Sequence, residues 1–202
     1  MGRKKSYDRD DLVGKAVHIF REHGFAGTSA EMLVRQLGVN RYGLYAEFGS
    51  KQGLFDAALQ RYDDEVIERN FGPLEAPGSG LAEIRELLAF FAAATGGPVA
   101  GRGCLLCNTA VEFGPNDPSG AGFVQRYLER ISRAFLAALE GAASRGEVGL
   151  HVDPRAEAAL LSASVLGMFV MLRANAPRDL VEDAAHVAIE RLDGLRGERS
   201  PG

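Results

Sequence analysis

Apolar residues along this 202-residue chain recur every three to four positions, and Gly, Pro, Ser and Asn interrupt them at short intervals. Leu12, Ala16, Ile19 and Phe20 share one face of a helix expected from about Asp8 to His23, with Gly24 placed to end it. Thr28 followed by Glu31 forms a capping-box pattern that starts a second, short helix ending at Gly38. Asn40 is placed to cap a third helix running to about Phe48, and Ser50 a fourth reaching about Asn70. The run "FGPLEAPGSG" from Phe71 to Gly80 then breaks the pattern.

Further helices are expected near 81–94, 102–113, 119–144, 154–175 and 178–195, separated by "TGGPVAG", "GPNDP", "RGEVGLHVD" and "NAP". Asp153 then Pro154 supplies an N-cap followed by Pro at the first helical position. Ala, Leu, Glu and Arg fill the periodic segments and no stretch reads as a convincing strand, so the expectation is an all-α fold of about nine helices. It divides into a three-helix N-terminal bundle over residues 6–66 and a larger helical domain over 67–196.

Composition adds exclusions. Hydrophobic residues make up 46% and charged residues 25%, as in an ordinary globular protein rather than a disordered one. The most apolar segment, from Ala158, carries Ser162 and Ser164 and stops at Arg173, which argues for a buried helix or subunit interface over a membrane span. The basic start "MGRKKSYDRDD" lacks the apolar stretch of a signal peptide, so a cytoplasmic protein with reduced Cys is expected. The net charge of -4 is unevenly spread. Residues 1–55 hold nine Lys/Arg against six Asp/Glu, and the rest fourteen against twenty-one. The basic excess thus sits in the N-terminal bundle, where it permits nucleic-acid binding without demonstrating it.

That bundle contains "LGVNRYGLYAEFGSKQGLF", residues 37–55. A helix-turn-helix needs a bracing helix, a tight turn and a second helix whose early residues reach base edges in the major groove. Residues 29–48 supply these parts in order, with Gly38 and Val39 as the turn. Met32, Leu33, Leu37, Val39, Leu44 and Phe48 can face inward against Phe20 and Leu54, leaving Arg41, Tyr42 and Tyr45 outward. Arg can donate two hydrogen bonds to guanine, Tyr can meet a phosphate, and Gly43 allows close backbone approach. Lys51 suits a phosphate, and Thr28 can do the same at the start of the second helix. The bland alternative, ordinary solvated residues on a small bundle, weighs about equally on spacing alone.

"FREHGFAGTSAEMLVRQLGVNRYGLYAEFGSKQGLF" resembles the N-terminal segment of the TetR family of transcriptional regulators. The likeness lies in Phe20, Gly24, Phe25, Thr28, Ser29, Gly38, Val39, Leu44, Tyr45, Phe48, Ser50, Lys51, Leu54 and Phe55. It implies an all-helical homodimer with one helix-turn-helix domain per subunit, a C-terminal effector-binding domain and repression released by a small molecule. By position, Thr28, Tyr45 and Lys51 match residues that contact phosphates in the family, and Arg41, Tyr42 and Gly43 the base-facing start of its recognition helix. Tyr42 and the Ala46-Glu47 pair depart from the family pattern; Glu47 is open to two roles, accepting from a cytosine amino group or pairing with a neighbouring Arg.

In the second half, Cys104 and Cys107 stand three apart and share a helix face. His18, His23, His151 and His186 are too scattered to complete a zinc site, so neither a metal nor any other cofactor is expected. The bland reading makes both Cys small core residues. The sharper one makes them redox sensors, since "GCLL" resembles the start of the sixth helix in a TetR subgroup that includes regulators responsive to electrophiles and oxidants.

An apolar effector pocket is expected from Phe90, Phe91, Cys107, Val111, Phe113, Phe123, Tyr127, Met168, Phe169 and Met171, with Asn108 and Arg173 as polar anchors, although core packing is the commoner role for each. The helix after Pro154 is apolar nearly all round, which requires both faces to be covered. Ala159, Ser162, Ala163, Leu166, Gly167 and Val170, with Ala185, Ile189 and Leu192 of the last helix, are the candidate dimer seam.

The function expected is a ligand-responsive repressor of a double-stranded, palindromic DNA operator, released by a small hydrophobic or reactive effector. The rivals are a thiol redox enzyme using Cys104 and Cys107, and a helical interaction module without DNA binding.

Overall fold

The computed structural model describes residues 7–97, 100–113 and 120–197. The turns expected around Pro98 and over 114–118, the helix start at Ser119 and the tail beyond 197 lie outside the described residues. The helices are α1 (Arg9–His23), α2 (Ala30–Leu37), α3 (Arg41–Phe48), α4 (Lys51–Tyr62), α5 (Glu68–Glu75), α6 (Leu81–Ala94), α7 (Leu105–Glu112), α8 (Ala121–Ser144), α9 (Pro154–Arg173) and α10 (Arg178–Gly194). A π-helical turn, Asp63–Ile67, joins α4 to α5 without a break, so the described residues form nine continuous helices and no strand beyond one isolated bridge, Val148 with Arg196. The fold is all-α.

Most helix starts follow from local side-chain chemistry. Asp8 accepts the amide of Asp10, Asn40 that of Gly43, Ser50 that of Gly53 and Asp153 that of Arg155, each satisfying a donor that the first turn leaves open. The second helix differs from expectation: Ser29, not Thr28, is its N-cap and accepts the Met32 amide. Thr28 is fully buried and its hydroxyl donates backward to the Gly24 carbonyl at 2.6 Å, which takes it out of capping geometry. Gly38 ends α2 in the left-handed conformation at φ 70, where a side chain would be strained.

The fourth helix also runs past its expected end near Asn70, through Gly72 and Pro73 to Glu75. Pro73 forfeits an amide donor there, but Phe71 and Leu74, both buried, hold the last turn in place.

Two compact units emerge. The first runs to Val66 and also takes in Leu105–Val124; the second holds Ile67–Cys104 and continues from Gln125. In the first, α1 packs on α4, with α2, α3 and α7 around them. Leu12, Ala16, Phe20, Leu33, Leu44, Leu54, Phe55 and Leu59 form its core. The rings of Phe20, Phe25, Phe55 and Phe113 meet at 4.9–6.3 Å, so Phe113, just past the end of α7, joins the aromatic packing of this unit.

In the second, α10 packs on α6 and α9, and Phe91 meets Phe169 edge to face at 4.8 Å. Arg130 of α8 binds Glu68 and Glu75 of α5 together, and those carboxylates raise its guanidinium above its ordinary value. The helix α9 is long and apolar enough to cross a membrane by length and composition, with a mean hydropathy of 1.5. It nonetheless buries Ala158, Leu161, Val165, Met168, Phe169 and Leu172 along one face, as a helix of a protein core does.

Candidate DNA-binding surface

The turn at Gly38 and Val39 and the cap at Asn40 place α3 across α2 with Leu44 and Phe48 buried beneath it. The opposite face carries Tyr42, 85% exposed, and Arg41, whose side chain is 64% exposed. Arg41 lies 5.6 Å from the centre of the half-buried Tyr45 ring and 3.5 Å from Glu31 of α2. Glu31 is held below the ordinary carboxylate range by its own backbone amide first, then by Ser29 and by the charge of Arg41. Arg41 is therefore parked against an ionised carboxylate and a ring, neither of which buries it.

Gly43 has a second neighbour besides the solvent. The Tyr7 hydroxyl donates to its carbonyl at 3.1 Å, and a Cβ at Gly43 would stand 3.2 Å from Asn40 Oδ1 and 3.5 Å from the Tyr7 ring. The segment before α1 is thereby fastened beside the start of α3.

Two residues expected on this surface are turned to other work. Thr28 is buried, with its hydroxyl on Gly24. Lys51 sits half-buried at the first turn of α4, where its Nζ donates to the carbonyls of Phe25 at 2.9 Å and Thr28 at 3.0 Å and lies 4.0 Å from the centre of the Phe25 ring. An ammonium has three donors, and these two carbonyls take two of them. Glu47, with its side chain 10% exposed, lies 3.6 Å from Arg9, the neighbouring Arg of one of its two expected roles.

The residues expected to line an effector pocket fall in both compact units. Cys107, Asn108, Val111 and Phe113 belong to the first unit, where Val111 is 74% exposed and Phe113 packs on Phe25 and Phe55. Phe90, Phe91, Tyr127, Met168, Phe169 and Met171 belong to the second. There Phe91, Tyr127, Met168 and Phe169 are core residues, and Phe90 borders a cleft of about 160 Å³ between α5 and α6 that also exposes Arg69, Glu83 and Glu86. That volume is below the roughly 300 Å³ at which drug-sized ligands begin to fit. Sequence spacing finds apolar residues but cannot separate those that fill a core from those that would line a void.

Both Cys are buried and neither is in a disulfide; the Cys104 thiol meets the Tyr127 hydroxyl at 3.3 Å. No cluster of His, Cys, Asp or Glu that could hold a metal occurs among the described residues. The residues expected in a dimer seam differ in exposure. Ala185 and Leu192 are buried inside the protomer against its own helices, so they are not available to a partner, and Ile189 is half-buried. Along α9, Ala159, Ala163, Gly167 and Val170 are exposed, and Ser162 and Leu166 half-buried, on one face. Leu160 on α9 and Leu180 and Val187 on α10, absent from the expected seam, extend the exposed apolar face.

A family model described as bacterial regulatory proteins, tetR family, matches residues 12–58, and one described as tetracyclin repressor-like, C-terminal domain, matches 80–188. An uncharacterised HTH-type transcriptional regulator of Bacillus subtilis (strain 168), YezE, is 33% identical over 198 residues, covering 96% of this chain and 100% of the relative. The HTH-type transcriptional repressor ComR of Escherichia coli (strain K12) is 31% identical over 182 residues, covering 87% and 84%. Among solved structures, a cysteine mutant of the TetR family transcriptional regulator CifR complexed with a 26-base-pair double-strand operator superposes with a TM-score of 0.80 at 25% identity, covering 94% of this chain and 98% of that one.

Proposed function

The chain belongs to the tetR family of bacterial regulatory proteins and is a DNA-binding transcriptional regulator; from that membership we propose that it is a cytoplasmic, homodimeric repressor that reads a palindromic operator through α3 and leaves it when a small molecule binds the second unit. The observation that carries the reading is the solvent-facing start of α3, where Arg41 and Tyr42 project from a helix whose other face is locked into the core. Arg41 is assigned to a guanine edge, Tyr42 and Tyr45 to phosphates or base edges, and the third donor of Lys51 to a phosphate. The Gly43 backbone lies between them at the helix start. Thr28 contributes by holding the loop before α2 rather than by touching DNA.

Two-fold symmetry through the exposed α9 and α10 faces would pair two such helices with the two half-sites of a palindrome. A small-molecule effector acts by binding one arrangement of the dimer better than the other; the apolar interior of the second unit supports a hydrophobic one. Family membership also sets aside the thiol-enzyme reading of Cys104 and Cys107.

Selection of fragments from a genomic library by the purified protein tests the assignment. The expected result is recovery of a palindromic site whose binding weakens as salt rises; no recovered site at low salt would overturn it.

A further inference from the structure

We propose that Tyr7, in the segment before α1, is a positioning residue for sequence reading: it fixes the first turn of α3, and with it Arg41 and Tyr42, at the angle from which bases are read. This rests on the reading of α3 as the DNA-facing helix.

A helix of eight residues is too short to hold itself in water, so its placement comes from what it packs on. Its buried side chains are Leu44 and Phe48, four apart and therefore on one stripe, and both lie beyond the first turn. The first turn, Arg41 to Gly43, puts no side chain into the core: Arg41 and Tyr42 are exposed, and Gly43 has none. Yet this is the turn that carries the base-facing residues. Val39 holds the chain entering it, and Asn40 caps it by accepting the Gly43 amide at 2.7 Å. Both act along the chain and leave the turn free to rock about the Leu44 stripe.

Tyr7 supplies the lateral contact. It is half-buried, 36 residues earlier in sequence, and its hydroxyl donates to the Gly43 carbonyl at 3.1 Å. Its ring covers the bare side of the same residue, since a Cβ at Gly43 would stand 3.5 Å from the ring and 3.6 Å from the hydroxyl oxygen. The close approach that a missing side chain permits is thus made by a ring of this chain. A carbonyl oxygen has two lone pairs, so the bond to Tyr7 leaves the helical one in place.

The contact fixes position rather than adding a DNA contact. A phenol has one proton to donate, and Tyr7 gives it to Gly43, so that proton does not also serve a phosphate oxygen. Two residues on, Arg9 meets Glu47 and the Phe48 ring in the last turn of α3. Tyr7 and Arg9 flank Asp8, the N-cap of α1, so the start of α1 holds α3 at both turns, and the Tyr7 end is the reading end. A tilt of that turn spoils hydrogen bonds to base edges, whose geometry is strict, far more than it disturbs attraction to phosphates, which is long-range. Loss of the Tyr7 hydroxyl therefore lowers discrimination rather than general affinity for DNA.

The test compares the full-length wild type with Tyr7→Phe, which removes only the hydroxyl. Each is titrated with a selected operator fragment and with an unrelated duplex of equal length across a salt series, and its unfolding temperature is measured. The expected result is operator binding weaker by at least about fivefold, the scale set by one neutral hydrogen bond in each of two subunits. Binding of the unrelated duplex, the salt slope and the unfolding temperature should be essentially unchanged. Tyr7→Ala, which also uncovers Gly43, should widen the operator loss while still sparing the unrelated duplex.

Operator binding by Tyr7→Phe as tight as the wild type's would overturn the proposal. An equal fall on both duplexes with a shallower salt slope would overturn it too, by making Tyr7 a phosphate contact. Equal losses with a lowered unfolding temperature would do the same, as the mark of general destabilisation. Those outcomes sink the role of Tyr7 alone, whereas a wild type that selects no operator would sink the reading of α3 and this inference with it.

Discussion

Arg9 at the start of α1 pairs with Glu47 near the end of α3, Nε to Oε1 at 3.6 Å, while the same guanidinium stands 5.3 Å from the centre of the Phe48 ring. Glu47 is the acidic member of a helix expected to meet an anionic partner, and its side chain is only 10% exposed. It thus neutralises a neighbour and orients α3 on α1. Glu47→Gln is expected to leave the preferred operator sequence unchanged and to lower stability by about 0.2–1 kcal/mol, the range for a pair whose Arg is largely solvated. Denaturant titration and repeated site selection check this; a changed base preference would return Glu47 to the DNA-reading set.

Arg41 and Tyr42 predict the opposite pattern. Both are exposed, and Arg41 meets Glu31 and Tyr45 at distances that imply little stabilisation. Arg41→Ala is expected to cost about 1–3 kcal/mol of operator binding and to relax preference at one base pair, with unfolding unaffected. Tyr42→Ala should weaken binding less and without a sharp sequence effect. Competition binding against substituted operators reads both; wild-type affinity in the two variants would remove α3 from the interface.

Much of this arrangement is legible in the amino-acid sequence. Asn40 and Ser50 announce their helices because a side-chain acceptor three residues before a free amide is a local device, and Leu33, Leu44 and Phe48 announce their burial by helical spacing. What stays hidden is non-local. Nothing in the spacing of Lys51 or Glu112 reveals that they hold the two polarities of one loop, since those partners are backbone atoms, identical at every residue. Thr28 misleads for a related reason: its pattern fits a cap, and only the fold shows Ser29 in the place. Ala185 and Leu192 have the periodicity of a buried stripe, but periodicity does not say whether the cover comes from the same chain or another.

Lys51 carries two separable roles, and one substitution tests both. Lys51→Met removes the donors to Phe25 and Thr28 while keeping most of the aliphatic length. The expected loss of stability is about 1–2 kcal/mol, from two carbonyls that lose a charged donor in a half-buried site. If its third donor meets a phosphate, the dependence of operator affinity on salt should also become shallower by about 0.9 in log–log slope per subunit. A stability loss with an unchanged slope would leave Lys51 as a loop clamp alone.

The exposed apolar face of α9 and α10 predicts the oligomeric state. Gly167 has open space where a Cβ would sit, and Leu160, Val170, Leu180 and Val187 are each more than 40% exposed. Val170→Glu places a charge where two such faces would meet, which the buried core of an interface does not tolerate. Sedimentation is expected to show a dimer for the wild type and a monomer for the variant, with helix content retained and operator affinity falling by at least about 100-fold because one half-site alone is bound. A variant that stays dimeric would move the seam elsewhere.

Cys104 and Cys107 are buried to 0% and 4% exposure, and Cys104 is engaged with Tyr127, so the two thiols should behave as core residues. A bulky aromatic disulfide reagent is expected to label the native protein only as fast as the second unit or α7 opens, while the unfolded chain reacts at once with both. Cys104→Ala should cost about 1 kcal/mol through the lost contact with the Tyr127 hydroxyl and the lost sulfur volume. Rapid native labelling at Cys104, together with release of operator DNA on modification, would instead restore the sensor reading of this thiol.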